Sequence, residues 1–136
     1  MKEKGGLAKM NIIIKDNSKK ILVKNIKRLS EFQKGIGLMF HRREKCPAML
    51  FEFNKPTNLK IHSYFVFFPF VAVWIDKNNK IIEKRIIKPF RIFIGPKKSF
   101  YKLIEIPLNS EYKEEIKKLF KNSNYSLGTL SRRGKI

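Results

Sequence analysis

A single cysteine, Cys46, stands in this chain of 136 residues, so an internal disulfide is excluded and a reducing compartment is favoured. Acid is the second shortage. Eleven Asp and Glu face 31 Lys and Arg, a formal net charge of +20. Long apolar runs are missing too. The longest mostly apolar stretch, Tyr64–Ile75, is broken at Pro69, and its 12 residues fall well short of the roughly 20 that a membrane-spanning helix needs. No apolar run follows the basic start Met1–Gly6, so no secretory signal is expected and the chain reads as cytoplasmic. The two histidines, His41 and His62, together with Cys46 lack the short local spacings of a zinc site, so neither a metal nor a cofactor is expected. Gly35-Ile36-Gly37 lacks the third glycine of a dinucleotide loop, and Gly95-Pro96-Lys97-Lys98 lacks the spacing of a P-loop.

What remains is one domain with a large-residue core. The length suits one core and is short for two, so residues 1–136 read as a single domain, with flexible basic tails over about 1–9 and 128–136. Twelve Phe, four Tyr and one Trp supply bulky apolar groups. Short β-branched and aromatic runs divided by turn residues predict strands. Met10–Ile14 and Ile21–Ile26, split by Asp16-Asn17-Ser18, predict a hairpin. Met49–Phe53 alternates as a strand with one face buried. Tyr64–Ile75 predicts two buried strands or one strand bent at Pro69. Val71–Ile75 and Ile81–Ile87, joined by Asp76–Lys80, predict a second hairpin. Phe100–Ile106 is a further strand ended by Pro107.

Two helices are expected. Ser30-Glu31-Phe32-Gln33 has the form of a capping box, predicting a short helix near 30–35. Over 109–121, Tyr112, Ile116, Leu119 and Phe120 share one helical face. Glu111, Glu114 and Glu115 precede Lys117, Lys118 and Lys121 in the order that complements the helix dipole. The expected fold is therefore mainly β: an antiparallel β-sandwich or flattened barrel with a short helix near 30–35 and a C-terminal helix near 109–121. Its core should include Leu38, Met39, Leu50, Phe51, Phe53, Phe65, Phe67, Val73, Ile75, Ile104 and Ile106.

The block from Gly35 to Asp76 has a recognisable order. Gly35-Ile36-Gly37-Leu38-Met39-Phe40-His41-Arg42 is followed by Met49-Leu50-Phe51-Glu52-Phe53, then by His62-Ser63 and Pro69-Phe70-Val71-Ala72-Val73-Trp74-Ile75-Asp76. This resembles the small β-domain family catalogued as domain of unknown function 192, in its archaeal-like branch, over about residues 20–107. The C-terminal third lacks the family's usual Gly-Asp ending. The resemblance implies a fold and no settled activity. Where the family pattern has an Asp after Pro-Leu, this chain has Val71, which cannot titrate, and that argues against an enzyme. Asp76 opens a turn, a place Asp takes for backbone reasons.

The charge balance points instead to a polyanion. AT-rich coding favours Lys over Arg, but it favours Glu as well, and Glu has not risen with Lys. A +20 domain repels itself and attracts nucleic acid. The expected contacts are Arg42, Arg43, Lys45, Arg85, Lys88, Arg91, Lys97, Lys98, Lys102 and, in the tail, Arg132 and Arg133. Phe90 and Phe93 flank Arg91, and Phe100 and Tyr101 precede Lys102, positions from which exposed rings stack bases. In so Phe-rich a chain, core packing is the commoner use of such rings. The leading expectation is a non-enzymatic protein that docks on RNA or a ribonucleoprotein such as the ribosome. Two alternatives stand beside it: a small-ligand or enzyme-like pocket near His41 and His62, and a protein partner bound on an aromatic face.

Overall fold

The structure is a computed structural model that describes residues 9–29 and 37–120. The helix expected near 30–35, residues 1–8 and 128–136 of the expected tails (Arg132 and Arg133 among them), and Lys121 lie outside these residues, while Lys9, expected in the N-terminal tail, opens the first strand.

Six strands form one sheet curled into a half-barrel. They are β1 (Lys9–Asp16), β2 (Lys19–Arg28), β3 (Ala48–Thr57), β4 (Phe70–Ile75), β5 (Ile81–Ile87) and β6 (Phe100–Pro107), in the spatial order β1-β2-β3-β6-β4-β5. Both predicted hairpins form. Asn17 turns between β1 and β2 with φ 61°, and Asn79 turns between β4 and β5 with φ 66°. Asp76 acts on backbone, as its turn position implies: its Oδ1 accepts from the amides of Asn78 at 2.8 Å and Lys80 at 2.9 Å. Every pairing is antiparallel except β2 with β3, which run parallel over Ile26–Arg28 and Ala48–Leu50. The curl brings the two edge strands together. The Lys15 amide donates to the Asn79 carbonyl at 2.8 Å, and Lys84 on β5 pairs with Asp16 on β1 at 2.6 Å.

The two faces of the sheet carry separate cores. The inner one gathers Ile14, Ile21, Val23 and Ile26 with Leu50, Val71, Val73, Ile75, Ile104 and Ile106. The C-terminal helix closes it. A 3-10 turn at Ser110–Tyr112 leads into α1 (Lys113–Leu119), and the side chain of Asn109 caps the start by accepting from the Glu111 amide. Tyr112, Ile116 and Leu119 face inward, as their spacing predicts. The Tyr112 hydroxyl accepts from the Ala48 amide and donates to the Asn25 carbonyl, both at 2.8 Å. It thereby bridges β2 and β3 beside their short parallel pairing. The outer core joins Met49, Phe51, Phe70, Ala72, Trp74, Phe100 and Leu103 to Leu38, Cys46, Val66, Phe68 and Ile94 from the loops above them.

Two expectations are corrected. Met49–Phe53 was expected to bury one face, but both faces are buried over Ala48–Phe51 because β3 lies between two strands, with one core on each side. Tyr64–Phe68 forms no strand, and only Phe70–Ile75 does. Phe65 turns the chain with φ 59°, which sends Val66 and Phe68 into the outer core and leaves Phe65 and Phe67 exposed. Neither of those two rings belongs to the core. Met39 and Phe53 pack at its margin.

Candidate functional site

Three loops cover the outer face: 37–43, 58–69 and 88–99. Together they carry seven Lys and Arg and no Asp or Glu. Ser63, fully buried, ties the second loop to the third. Its hydroxyl donates to the Lys88 carbonyl and accepts from the Arg91 amide, both at 2.7 Å. Its backbone donates to the Arg91 carbonyl at 2.8 Å and accepts from the Phe90 amide at 2.9 Å. Ile61 and Ile94 form a bridge beyond it, and Phe40 donates to the Phe65 carbonyl to attach the first loop.

This bonding holds four phenylalanines in the left-handed backbone region: Phe40, Phe65, Phe90 and Phe93, with φ between 54° and 65°. A bulky side chain is an outlier there, and such strain persists only where surrounding structure enforces it. All four rings are exposed, Phe93 at 81%. Phe40 stacks on Phe65 with ring centres 5.2 Å apart, and Phe67 meets Phe90 edge-on at 5.5 Å. In the same loops Arg42, Lys88, Arg91, Lys97 and Lys98 are exposed.

The structure sorts the expected phosphate contacts. Those five lie on the loop face, and Lys45 is exposed at the end of the 3-10 turn Arg43–Lys45. Three others are engaged elsewhere. Arg43 Nε donates to the Leu108 carbonyl at 2.6 Å. Arg85 lies 5.4 Å over the Trp74 ring, pairs with Glu83 and donates to the Gly95 carbonyl at 2.8 Å. Lys102 donates to Asn79 Oδ1 at 2.6 Å. Of the expected stacking rings, Phe90 and Phe93 are exposed, whereas Phe100 is fully buried and Tyr101 half-buried.

Beside this face a cavity of about 200 Å³ opens between the loops and the sheet. Its walls are mainly apolar, with Leu38, Phe51, Phe53, Ile61, Phe70 and Leu103 among them. His62 and Lys60 also line it, while His41 lies outside the lining. His62 Nδ1 accepts from the Tyr64 amide at 3.2 Å, so that nitrogen serves the loop's own turn. The remaining polar wall is Glu105 on β6, only 6% exposed. Glu105 sits opposite Met49 on β3 and Ala72 on β4, and the small Ala72 leaves its carboxyl room. Among the described residues no hydrogen bond or ion pair reaches it. Burial in this apolar setting pushes its pKa from the usual 4.5 up to about 8, which keeps the carboxyl neutral at pH 7. Gly37 lies against it with φ 52°, where a Cβ would stand 3.3 Å from Glu105 Oε1.

Cys46 does not line the cavity. It is buried in the outer core, and desolvation, with the nearby Glu105 adding to the rise, pushes its thiol pKa to about 12, the reverse of an activated nucleophile. Among the described residues no three His, Cys, Asp or Glu side chains gather as metal ligands. Sequence reasoning missed Glu105 and the exposed rings Phe40, Phe65 and Phe67. Glu105 had a signal, one carboxylate inside the apolar run Leu103-Ile104-Glu105-Ile106. The rings had none that separates them from core phenylalanines.

The profile of the family described as domain of unknown function 192, uncharacterized ACR, matches residues 12–118, and the chain belongs to that family. The UPF0127 protein PH1112 of the archaeon Pyrococcus horikoshii is 28% identical over 91 residues, which are 67% of this chain and 76% of that protein. A crystal structure of a protein of unknown function from Novosphingobium aromaticivorans superposes with a TM-score of 0.59 at 15% identity, covering 79% of this chain and 78% of that one. A proposed transcription regulator from Sinorhizobium meliloti also superposes at 0.59, with 16% identity, covering 77% and 84% respectively. At such identities the two structures share the fold alone. The match reaches residue 118, so it takes in most of the C-terminal helix, beyond the 20–107 span of the motif resemblance.

Proposed function

We propose that the outer loop face docks single-stranded nucleic acid, RNA in the first place, either free or exposed in a ribonucleoprotein such as the ribosome. The observation that carries this reading is the composition of the three loops: exposed cations (Arg42, Lys88, Arg91, Lys97 and Lys98), no acid, and exposed phenylalanines fixed by Ser63-centred bonding. A single strand offers both chemistries that such a surface matches. Its phosphates take the cations and its unstacked bases take the rings, with stacking contributing about 1–3 kcal/mol per base. Surface strength alone would favour any polyanion, but exposed rings favour the form whose bases are free. A protein partner is the weaker reading, because interface cores are depleted of lysine, and here Lys88, Lys97 and Lys98 are exposed in the same loop that carries Phe90 and Phe93. Phosphate and stacking contacts carry little sequence information, so selectivity for base order should be weak.

The test is the pair of substitutions Phe90→Ala and Phe93→Ala made together. Both rings are exposed, so the fold should persist while affinity for an oligouridylate falls by about tenfold or more. Affinity for a duplex of equal charge should barely change. Equal losses on both forms, or none on the single strand, would remove stacking from the account.

A further inference from the structure

The cavity beside the loop face is unexplained by phosphate and stacking contacts. It is lined mainly by aromatic and aliphatic side chains, and one wall carries the carboxyl of Glu105, a residue only 6% exposed. The side-chain atoms sealed without a partner among the described residues are Trp74 Nε1 and Glu115 Oε1. The Glu105 carboxyl instead opens on the cavity, and a carboxyl kept in a wall otherwise free to be apolar points to an occupant that pairs with it. Ala72 opposite and Gly37 above both leave space at the carboxyl, and a side chain on Gly37 would press on Glu105 and Phe51.

We infer that this cavity is a binding pocket for a small planar heterocycle with a hydrogen-bond donor and an acceptor side by side on one edge, the edge pairing with the Glu105 carboxyl and the ring lying against Phe51, Phe53 and Phe70. A carboxylic acid presents an O–H donor and a C=O acceptor in the same spacing, so it makes two parallel hydrogen bonds to an amide or amidine edge. The neutral state that burial favours for Glu105 suits that pattern. Lys60 and His62 in the lining disfavour a cationic ligand, and the modest volume limits the occupant to one or two fused rings. Nucleobases belong to this chemical class. The occupant arrives either as a free small molecule or as a base swung out of a strand held on the loop face. The second source rests on the nucleic-acid reading above, while the pocket itself does not.

Titration calorimetry with uridine, cytidine, adenosine and guanosine tests it, using the whole chain and two variants. Glu105→Leu keeps the shape and removes the edge, whereas Glu105→Gln keeps a donor and an acceptor. At least one nucleoside should bind the unaltered chain. Its affinity should fall by about tenfold or more in the Leu variant and stay within about threefold in the Gln variant. No binding of any nucleoside at millimolar concentration, or equal affinity in the Leu variant, overturns the inference. Oligouridylate binding by the same variants then separates the sources. A parallel loss in the Leu variant makes the occupant a base of the strand. Unchanged strand binding makes it a free molecule. Nucleoside binding in a chain that ignores the oligonucleotide would sink the loop-face reading and leave the pocket standing.

Discussion

The hydroxyl of Ser63 accepts from the backbone amide of Arg91 at 2.7 Å while the Ser63 amide donates to the Arg91 carbonyl at 2.8 Å. This reciprocal clamp places Arg91 between two exposed phenylalanines and fixes the backbone that presents all three. Replacing Ser63 with Ala leaves the Arg91 amide and the Lys88 carbonyl without their partner. Such a loss inside a buried cluster costs about 1–3 kcal/mol. Chemical denaturation should show that decrease. Oligonucleotide affinity should fall as well, even though Ser63 is buried and cannot touch the strand.

Tyr112 makes a sharper stability prediction. Its hydroxyl joins the Ala48 amide to the Asn25 carbonyl between β2 and β3. Tyr112→Phe preserves the ring in the inner core and strands both backbone groups. The expected cost is again about 1–3 kcal/mol in denaturant midpoint analysis. Nucleic-acid affinity should be unchanged, because the loop face lies on the other side of the sheet.

Glu105 gives stability a pH dependence of definite sign. Its pKa rises on folding from 4.5 to about 8, so between those values the unfolded chain loses a proton that the folded chain keeps. Its favourable contribution is complete below about 4.5 and is lost as pH rises through about 8. Within that window it makes stability fall with pH by up to about 1.4 kcal/mol per unit. Glu105→Gln should flatten this share of the profile and make the protein more stable at pH 8. A profile for Glu105→Gln parallel to that of the unaltered chain would contradict the assignment.

How much of this was legible in the sequence depends on the residue. The hairpins were, because Asn17 and Asn79 sit in polar clusters between β-branched runs. The C-terminal helix was, because Tyr112, Ile116 and Leu119 repeat at helical spacing. Phe65 and Phe67 were not. Their neighbours Val66 and Phe68 are equally apolar, and only the left-handed turn at Phe65, set by tertiary bonding, decides which of the four face solvent. The cation clusters were visible as charge, yet alternation and loop geometry committed Arg43, Arg85 and Lys102 to intramolecular acceptors. Val71 suggested a sheet without a functional carboxylate. The buried one lies on the next strand, since Ala72 beside Val71 pairs with Glu105. Strand pairing of that kind is not written in any local motif.

Binding across a salt series is the most direct measurement of the central claim. The nuclease-treated protein is titrated with labelled single-stranded RNA and with a duplex of equal length, and log K is plotted against log salt. Arg42, Lys88, Arg91, Lys97 and Lys98 together predict a single-strand slope of at least about −3.5, with Arg91→Gln reducing its magnitude by about 0.7. The single strand should remain the preferred form at physiological salt. Binding that vanishes below physiological salt, or that favours neither form and ignores Arg91→Gln, would show that the loop face is not a nucleic-acid platform.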